Sequence, residues 1–324
     1  MSFWSRRNRK LGLILTLAFS GSLLIIGCAP PEKPDLNQGA QVVNTGPARV
    51  EIQEILNWFP ADTETVLAVT KEHQFEQWKE VPELSSLAYL LLIGAPSHSD
   101  VLNECKINYG VSATRSYSFN PAVEFVAYEG CTVLSMSDES LERFRAECQE
   151  SGELADEIDG RSVYLFTEKR ASAVWNQFVV FIDDLVFLAS DRQFLEETLA
   201  RRKSGSKREA LPLDLAQWGL IDLDSYLWIV REVSEGVPDP DYLTSEIVGF
   251  ACEIDEEEDA LVVFSLLANT DAFDPTVEAF AGIGADGPPS RIDDLTVRHS
   301  LLAKDFQFLP FSIAAVIIGT ALAI

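Results

Sequence analysis

The sequence predicts an α+β fold: mainly antiparallel sheet, built from repeated hairpin–helix modules, with the helices packed on one face. The first observation is a recurring pattern of two short β-branched or aromatic runs, a turn and a capped helical stretch. The second is its spacing, because residues of about 125–148 and 178–202 follow this pattern at an offset of 53 positions. A third, looser copy covers about 247–280. Two related halves and one continuous sheet both fit these observations.

The two closer copies match from a leading Phe to a capping Asp thirteen positions later. Turns are predicted at Glu129 and Gly130 in the first copy and at Asp183 and Asp184 in the second. A Ser-Asp pair then begins each helix, because short polar side chains accept hydrogen bonds from the N–H groups of the first turn. The identical positions are Phe125/Phe178, Val126/Val179, Val133/Val186, Ser137/Ser190 and Asp138/Asp191.

The remaining elements are predicted from periodicity. Apolar residues at helical spacing predict a helix over 50–58, and a β-branched run predicts a strand over 65–69. Further strands are predicted at 162–166 and 225–230, and further helices at 71–79 and 101–108.

The chain is strongly acidic, with a formal net charge of −26. Nucleic acid repels such a surface, since nucleic-acid binding depends on Lys and Arg neutralising phosphates. The hydrophobic content of 47% is that of a folded protein rather than a disordered one. We therefore expect protein partners and no nucleic acid.

The N-terminus has the three parts of an export signal: basic residues within 1–10, an apolar run over 11–26 and a small residue before a cysteine. The sequence Ile26-Gly27-Cys28 resembles the lipobox of bacterial lipoproteins. The resemblance implies cleavage after residue 27, acyl chains such as palmitate on Cys28, and a domain on the periplasmic or extracytoplasmic side of either envelope membrane. An uncleaved signal anchor is the alternative. Ser5-Arg6-Arg7 also resembles a twin-arginine export signal, although Arg9 departs from that pattern.

Three further regions follow Cys28. Residues 28–48 are rich in proline and predict a flexible tether, and residues 49–305 form the predicted globular region. Residues 306–324 carry no charge and offer a possible second membrane attachment. A membrane helix, a buried element of the domain and a truncated end all fit this segment.

Four cysteines follow Cys28, namely Cys105, Cys131, Cys148 and Cys252. An even number in an exported chain is compatible with disulfides, and Cys105–Cys148 and Cys131–Cys148 are the pairings considered. Buried free thiols are the alternative. The sequence contains no CxxC and no Cys/His cluster, so no metal or cofactor is expected.

No motif identifies a reaction. The three histidines, His73, His98 and His299, are scattered, and the GxSxG, HExxH and GxxxxGK[ST] patterns are missing from the sequence. The acidic run over 255–259 is interpreted as a solvated hairpin turn. We therefore expect a non-enzymatic binding, sensing or assembly component at the envelope. The alternative is an envelope hydrolase or other enzyme whose dispersed Asp, Glu, His or Ser residues converge in a cleft with shifted pKa values.

Overall fold

The fold is that of a computed structural model, which describes residues 47–69, 105–120, 125–170, 173–205, 207, 223, 225, 227–231, 247–255, 260–274, 276–277 and 289–302. All of them belong to one unit, Val42–Ile324. The predicted signal, the tether up to residue 46, the helix over 71–79 and the segment 306–324 lie outside the described residues.

Twelve strands form one sheet in the order β11-β12-β10-β9-β8-β1-β2-β3-β7-β6-β5-β4, and neighbouring strands are antiparallel. Of the two arrangements compatible with the sequence, the structure has the continuous sheet. The strands are β1 (Thr65–Val69), β2 (Ile107–Asn120), β3 (Phe125–Met136), β4 (Glu153–Ile158), β5 (Arg161–Arg170), β6 (Ala173–Ile182), β7 (Leu185–Ala189), β8 (Leu227–Arg231), β9 (Ile247–Asp255), β10 (Ala260–Leu267), β11 (Ser290–Asp293) and β12 (Thr296–Leu302).

Three α-helices and a 3-10 helix, Thr270–Ala272, have their bounds within the described residues, and residues 273–274 and 276–277 are also α-helical. The α-helices are α1 (Pro47–Trp58), α2 (Asp138–Ser151) and α3 (Arg192–Ser204). They correspond to the helix predicted over 50–58 and to the helices that end the copies at 125–148 and 178–202. None of the described helices is both long and apolar enough to cross a membrane.

The helices lie on both faces of the sheet. Trp58 of α1 stacks on Phe187 of β7, and Phe187 pairs with Val180 of β6, which puts all three on one face. Phe181 follows Val180 and therefore points to the other face, because side chains alternate along a strand. There Phe181 contacts Phe144 of α2, with ring centroids 5.8 Å apart.

The α+β prediction is therefore wrong in two respects. One antiparallel sheet dominates the described structure, and its helices cover both faces rather than one. The physical reason is that the strands are longer than their sequence patterns suggest: β2 and β3 span 14 and 12 residues. Strands buried on both faces need covering on both sides, and a single helix layer does not supply this.

Strand β3 shows where the first repeat fails. The predicted hairpin over 125–136 is one continuous strand, and Gly130 lies inside it rather than in a turn. A Cβ at Gly130 would lie 2.8 Å from Thr114 Cγ2 and 2.9 Å from the carbonyl oxygen of Ala113. Glycine is needed here because two strands approach closely, not because the chain reverses.

The second and third copies do form hairpins. Strands β6 and β7 pair from Phe178–Ala189 to Ile182–Leu185, and Asp183 between them has a left-handed φ of 57°. Strands β9 and β10 pair over most of their length, and Asn269 caps the 3-10 helix after β10. The acidic residues 256–259 between these strands lie outside the described residues, as does the end of this copy beyond 277.

The Ser-Asp pairs are not equivalent. Ser137 caps α2 and accepts a hydrogen bond from Ser140 N, whereas Asp191 caps α3 and accepts one from Phe194 N. Ser190 instead receives a bond from Gly130 N through its hydroxyl and donates its own N–H to Gly130 O. One sequence pattern therefore serves two local structures.

Strand β2 replaces the end of the helix predicted over 101–108, since Ile107 and Asn108 already belong to it. Its apolar residues alternate with polar ones from Ile107 through Tyr109, Val111 and Ala113, which is the pattern of a half-buried strand. This alternation was the available signal for β2.

Replacing Gly130 with Ala should destabilise the protein by about 1–3 kcal/mol, because the new methyl group overlaps Thr114 and the Ala113 carbonyl. Gly160→Ala is the matched control. Its added Cβ meets nothing within 4 Å, and only its φ of +73° opposes the substitution, at about 1 kcal/mol. Urea denaturation measures both changes. Equal losses would contradict the close approach at Gly130.

Candidate functional site

Asp156 and Arg192 form an ion pair with each other, but the described groups with shifted pKa values lie on both sides of the sheet rather than in one cleft. They are Tyr109, Arg115, Cys131, Cys148, Asp156 and Arg192. Within the described part of the chain, no three His, Cys, Asp or Glu residues are grouped to hold a metal ion. His299 belongs to β12, whereas His73 and His98 lie outside the described residues.

The most extensive polar arrangement in the described structure joins α1 and α3 to the sheet. We call it the helix junction and define it by the guanidinium groups of Arg115, Arg201 and Arg202 with their partners. Helix α3 supplies two of these arginines from its last turn, where cations are favoured by the carbonyl end of the helix. Strand β2 supplies the third.

Arg115 connects three elements. Its Nε lies 2.9 Å from Asp62 Oδ2 in the turn after α1, and its Nη2 donates to Glu197 of α3. The guanidinium also lies over the ring of Phe194, 5.2 Å from its centroid. Burial lowers the pKa of Arg115, and hydrogen bonds to Glu197 and Asp62 more than offset this, so that the pKa stays above its ordinary value.

Arg201 and Arg202 hold the C-terminal end of α1. Arg201 donates from Nε and Nη2 to the carbonyl oxygen of Asn57, at 3.2 and 3.0 Å. This carbonyl is one of the last in α1, where intrahelical partners run out. Arg202 lies 5.0 Å above the Trp58 ring and pairs with Asp183 at 2.7 Å.

An apolar layer lies beneath these charges. Ile52, Ile55 and Leu56 of α1 are at most 1% exposed, and each contributes about 1.5–3 kcal/mol through burial. Phe59 follows the helix and packs on Phe194, with centroids 6.4 Å apart. The arginines thus orient a helix whose attachment is mainly hydrophobic.

Tyr109 contacts the N-terminal half of α1. Its hydroxyl lies near the Glu51 carboxylate, and Ser135 of β3 is opposite it in the sheet. Burial raises the pKa of Tyr109 first, and the Glu51 charge adds to that increase. A β-bulge at Asn108 lets that residue donate to Ser135, at 3.3 Å. Helix α1 therefore has contacts to the rest of the domain at both ends.

The helix junction is suited to holding a helix rather than to transforming a substrate. Its guanidinium groups already contact carboxylates, a carbonyl oxygen or aromatic rings of the same chain. The only local sequence signal for it was the Arg201-Arg202-Lys203 run at a helix end. Arg115 offers no such signal, because its partners Asp62 and Glu197 are distant in sequence.

The sheet separates the cysteines into two groups. Cys131 belongs to the core on the α1 and α3 side, whereas Cys148 is buried on α2. Cys105 lies on the α2 side and donates from Sγ to Ser140 O at 3.7 Å. All three side chains are thiols in the structure, and the side chain of Cys252 lies outside the described part. Of the pairings considered, Cys105–Cys148 is the one that does not cross the sheet.

Comparison with known proteins gives no family assignment: no family model and no curated protein matches the chain. Its structure is similar to structures of a protein named TP0453. For crystal form I, the TM-score is 0.44 and the identity 11%, covering 81% of this chain and 96% of that one. For crystal form IV, the values are 0.43 and 8%, covering 81% and 95%. A likeness at this level supports no conclusion about function.

Replacing Arg115 with Met should destabilise the protein by about 1–3 kcal/mol, because it leaves Asp62 and Glu197 without their shared cation. Arg192→Gln is the control, since it breaks an exposed pair with Asp156 and should cost at most about 1 kcal/mol. Arg115→Lys should recover only part of the loss, because an ammonium does not reproduce the planar fork. Urea denaturation tests all three, and a neutral Arg115→Met would contradict the role of the junction.

In the reduced, folded protein, maleimide should label Cys105 faster than Cys131 or Cys148. Burial raises the pKa of the Cys148 thiol to about 12, and burial also raises that of Cys131, so that few thiolates form near neutral pH. Mass spectrometry of the labelled peptides measures each site, and unfolding in urea should equalise them. Fast labelling of Cys131 in the folded state would contradict its burial.

Proposed function

We propose that this protein is a lipid-anchored component of the bacterial envelope. Its folded domain lies on the extracytoplasmic side and serves a non-enzymatic binding, sensing or assembly role. The observation that supports this most directly is Ile26-Gly27-Cys28 at the end of an apolar run that follows four basic residues. Cleavage before Cys28 removes those basic residues and leaves a net charge of −30.

The anchor has a simple energetic basis. Each methylene buried in the bilayer contributes about 0.8 kcal/mol, and a single acyl chain gives only marginal binding. Two or three chains on Cys28 hold a folded domain stably at the membrane. Residues 306–324 are a second attachment in this proposal, because they are uncharged and nearly long enough to span the hydrocarbon core.

The tether sets the largest distance between the lipid and the folded domain. Nineteen positions separate Cys28 from Pro47, where α1 begins, so that the lipid lies at most about 65 Å of extended chain away. The tether therefore limits how far the folded domain can lie from the membrane.

The acidic surface selects the class of partner. A domain of charge −30 is repelled by nucleic acid and by anionic lipid headgroups. Proteins with basic surfaces are attracted by it, and the association rate increases through electrostatic steering. We therefore propose protein partners at the envelope.

Metabolic labelling with palmitate and membrane fractionation test the anchor. The wild-type chain should be labelled and sediment with membranes, whereas Cys28→Ser should lose the label. Cys105→Ser is the matched control, because it removes a cysteine of the folded domain and should leave the label unchanged. Undiminished labelling of Cys28→Ser would overturn the lipoprotein assignment.

The same experiment tests the second attachment. Cys28→Ser should remain partly membrane-bound if residues 306–324 insert, and deleting them in that background should then release the protein. Full release by Cys28→Ser alone would show that the lipid is the only anchor.

A further inference from the structure

We propose that the outer edge of β4 is a docking site for an extended basic segment of a partner protein, which pairs with it as a thirteenth strand. This inference rests on the binding role proposed above and assigns that role a surface and a partner chemistry.

Strand β4 is the last strand of the sheet, and among the described strands it pairs with β5 alone. Its residues from Glu153 to Glu157 are exposed, and Ile158 is half-buried. The edge of such a strand presents backbone N–H and C=O groups that another strand can pair with. Strand addition of this kind is a common mode of peptide recognition.

Strand β4 also carries an exposed apolar side chain, that of Leu154. Its side chain is 62% exposed, and the other large exposed apolar side chain in the described structure is Ile292, at 50%, on the opposite edge strand β11. A partner strand alongside β4 covers Leu154 with an apolar side chain of its own. Burial of this surface adds to the backbone hydrogen bonds.

The charges of β4 specify a basic partner. Three of its six residues are acidic, namely Glu153, Asp156 and Glu157. Asp156 is already paired with Arg192 at 2.7 Å, and this hydrogen bond lowers its pKa. The ion pairs in the described structure do not include Glu153 or Glu157.

The register puts these two carboxylates on different faces. Glu153 is opposite Leu165, whereas Glu157 is opposite Ser162, an odd number of positions away along β5. Adjacent strands prefer opposite charges at facing positions. A partner with Lys or Arg on both of its faces therefore complements β4.

A second copy of the chain fits this edge poorly. Antiparallel pairing of β4 with itself brings the acidic residues of two strands close together, and like charges repel each other. Strand β11 offers Arg291, but that guanidinium already pairs with Asp294 and lies over Phe273. The bulge between Leu154 and Asp156 further favours a short peptide segment over a long sheet edge.

Fluorescence anisotropy with the detergent-solubilised full chain tests the site. The probe is a labelled peptide of repeated Lys-Lys-Val-Val, which puts Lys and Val on both faces of a strand, and a peptide of repeated Glu-Glu-Val-Val is its control. Glu153→Lys combined with Glu157→Lys should weaken binding of the Lys peptide at least tenfold and create binding of the Glu peptide. Leu154→Lys should weaken the Lys peptide, whereas Ile292→Lys should leave it within twofold of wild type.

The matched control for net charge is Asp271→Lys combined with Asp274→Lys. Both residues are exposed and follow β10, near the other end of the sheet, and the change in charge is identical. This variant should bind the Lys peptide within twofold of wild type. Equal weakening by the two double variants would show a general charge effect and overturn the site.

Amide hydrogen exchange separates strand addition from loose contact. Bound Lys peptide should slow exchange in residues 153–158 and leave β11 unchanged, and unchanged exchange in β4 would overturn the proposal. If the wild-type chain takes up palmitate but binds no peptide, the docking site is overturned and the lipid anchor is supported. If it binds the peptide but takes up no palmitate, only the lipid anchor is overturned.

Discussion

The central strand β1 is the constraint on which the sheet depends. It is five residues long, all of them buried, and it stands between β2 and β8 in the strand order. Its register pairs Leu67 with Ser112 on one side and with Ile229 on the other. Both faces of such a strand must be covered, so the structure needs packing layers on both sides of the sheet. A substitution in β1 that leaves a cavity or introduces a charge would therefore disturb the packing of β2 and β8 together.

Around this strand, the charged groups are arranged to position helices. The guanidinium groups of Arg115 and Arg201 reach partners more than eighty positions away, which ties α1, β2 and α3 together. The individual ion pairs add modestly to stability, since Asp62 is 67% exposed. Burial of apolar side chains attaches α1 to the sheet, and the arginine contacts fix the orientation of the helix on it. None of the described Asp and Glu side chains is buried, and three of them lie on β4.

The elements that were predictable from sequence are those whose pattern is local. The β6–β7 hairpin and the caps of α2 and α3 depend on residues within a few positions of each other, and they form as their sequences indicate. Gly130 shows the limit. Beside Glu129 it reads as a turn, but the close approach of Thr114 makes glycine necessary inside a strand. The role of Arg115 was equally unpredictable from sequence, because neither Asp62 nor Glu197 is near it in the chain.

Helix α1 also determines how the domain bears a mechanical load. A pull on the chain before Pro47 reaches the domain first at the end of α1 where Tyr109 lies near Glu51. The arginine contacts to Asn57 and the Trp58 ring lie at the opposite end. Such a pull therefore peels the helix from one end, breaking contacts in succession, rather than shearing them together. The helix therefore bears such a pull before the sheet does.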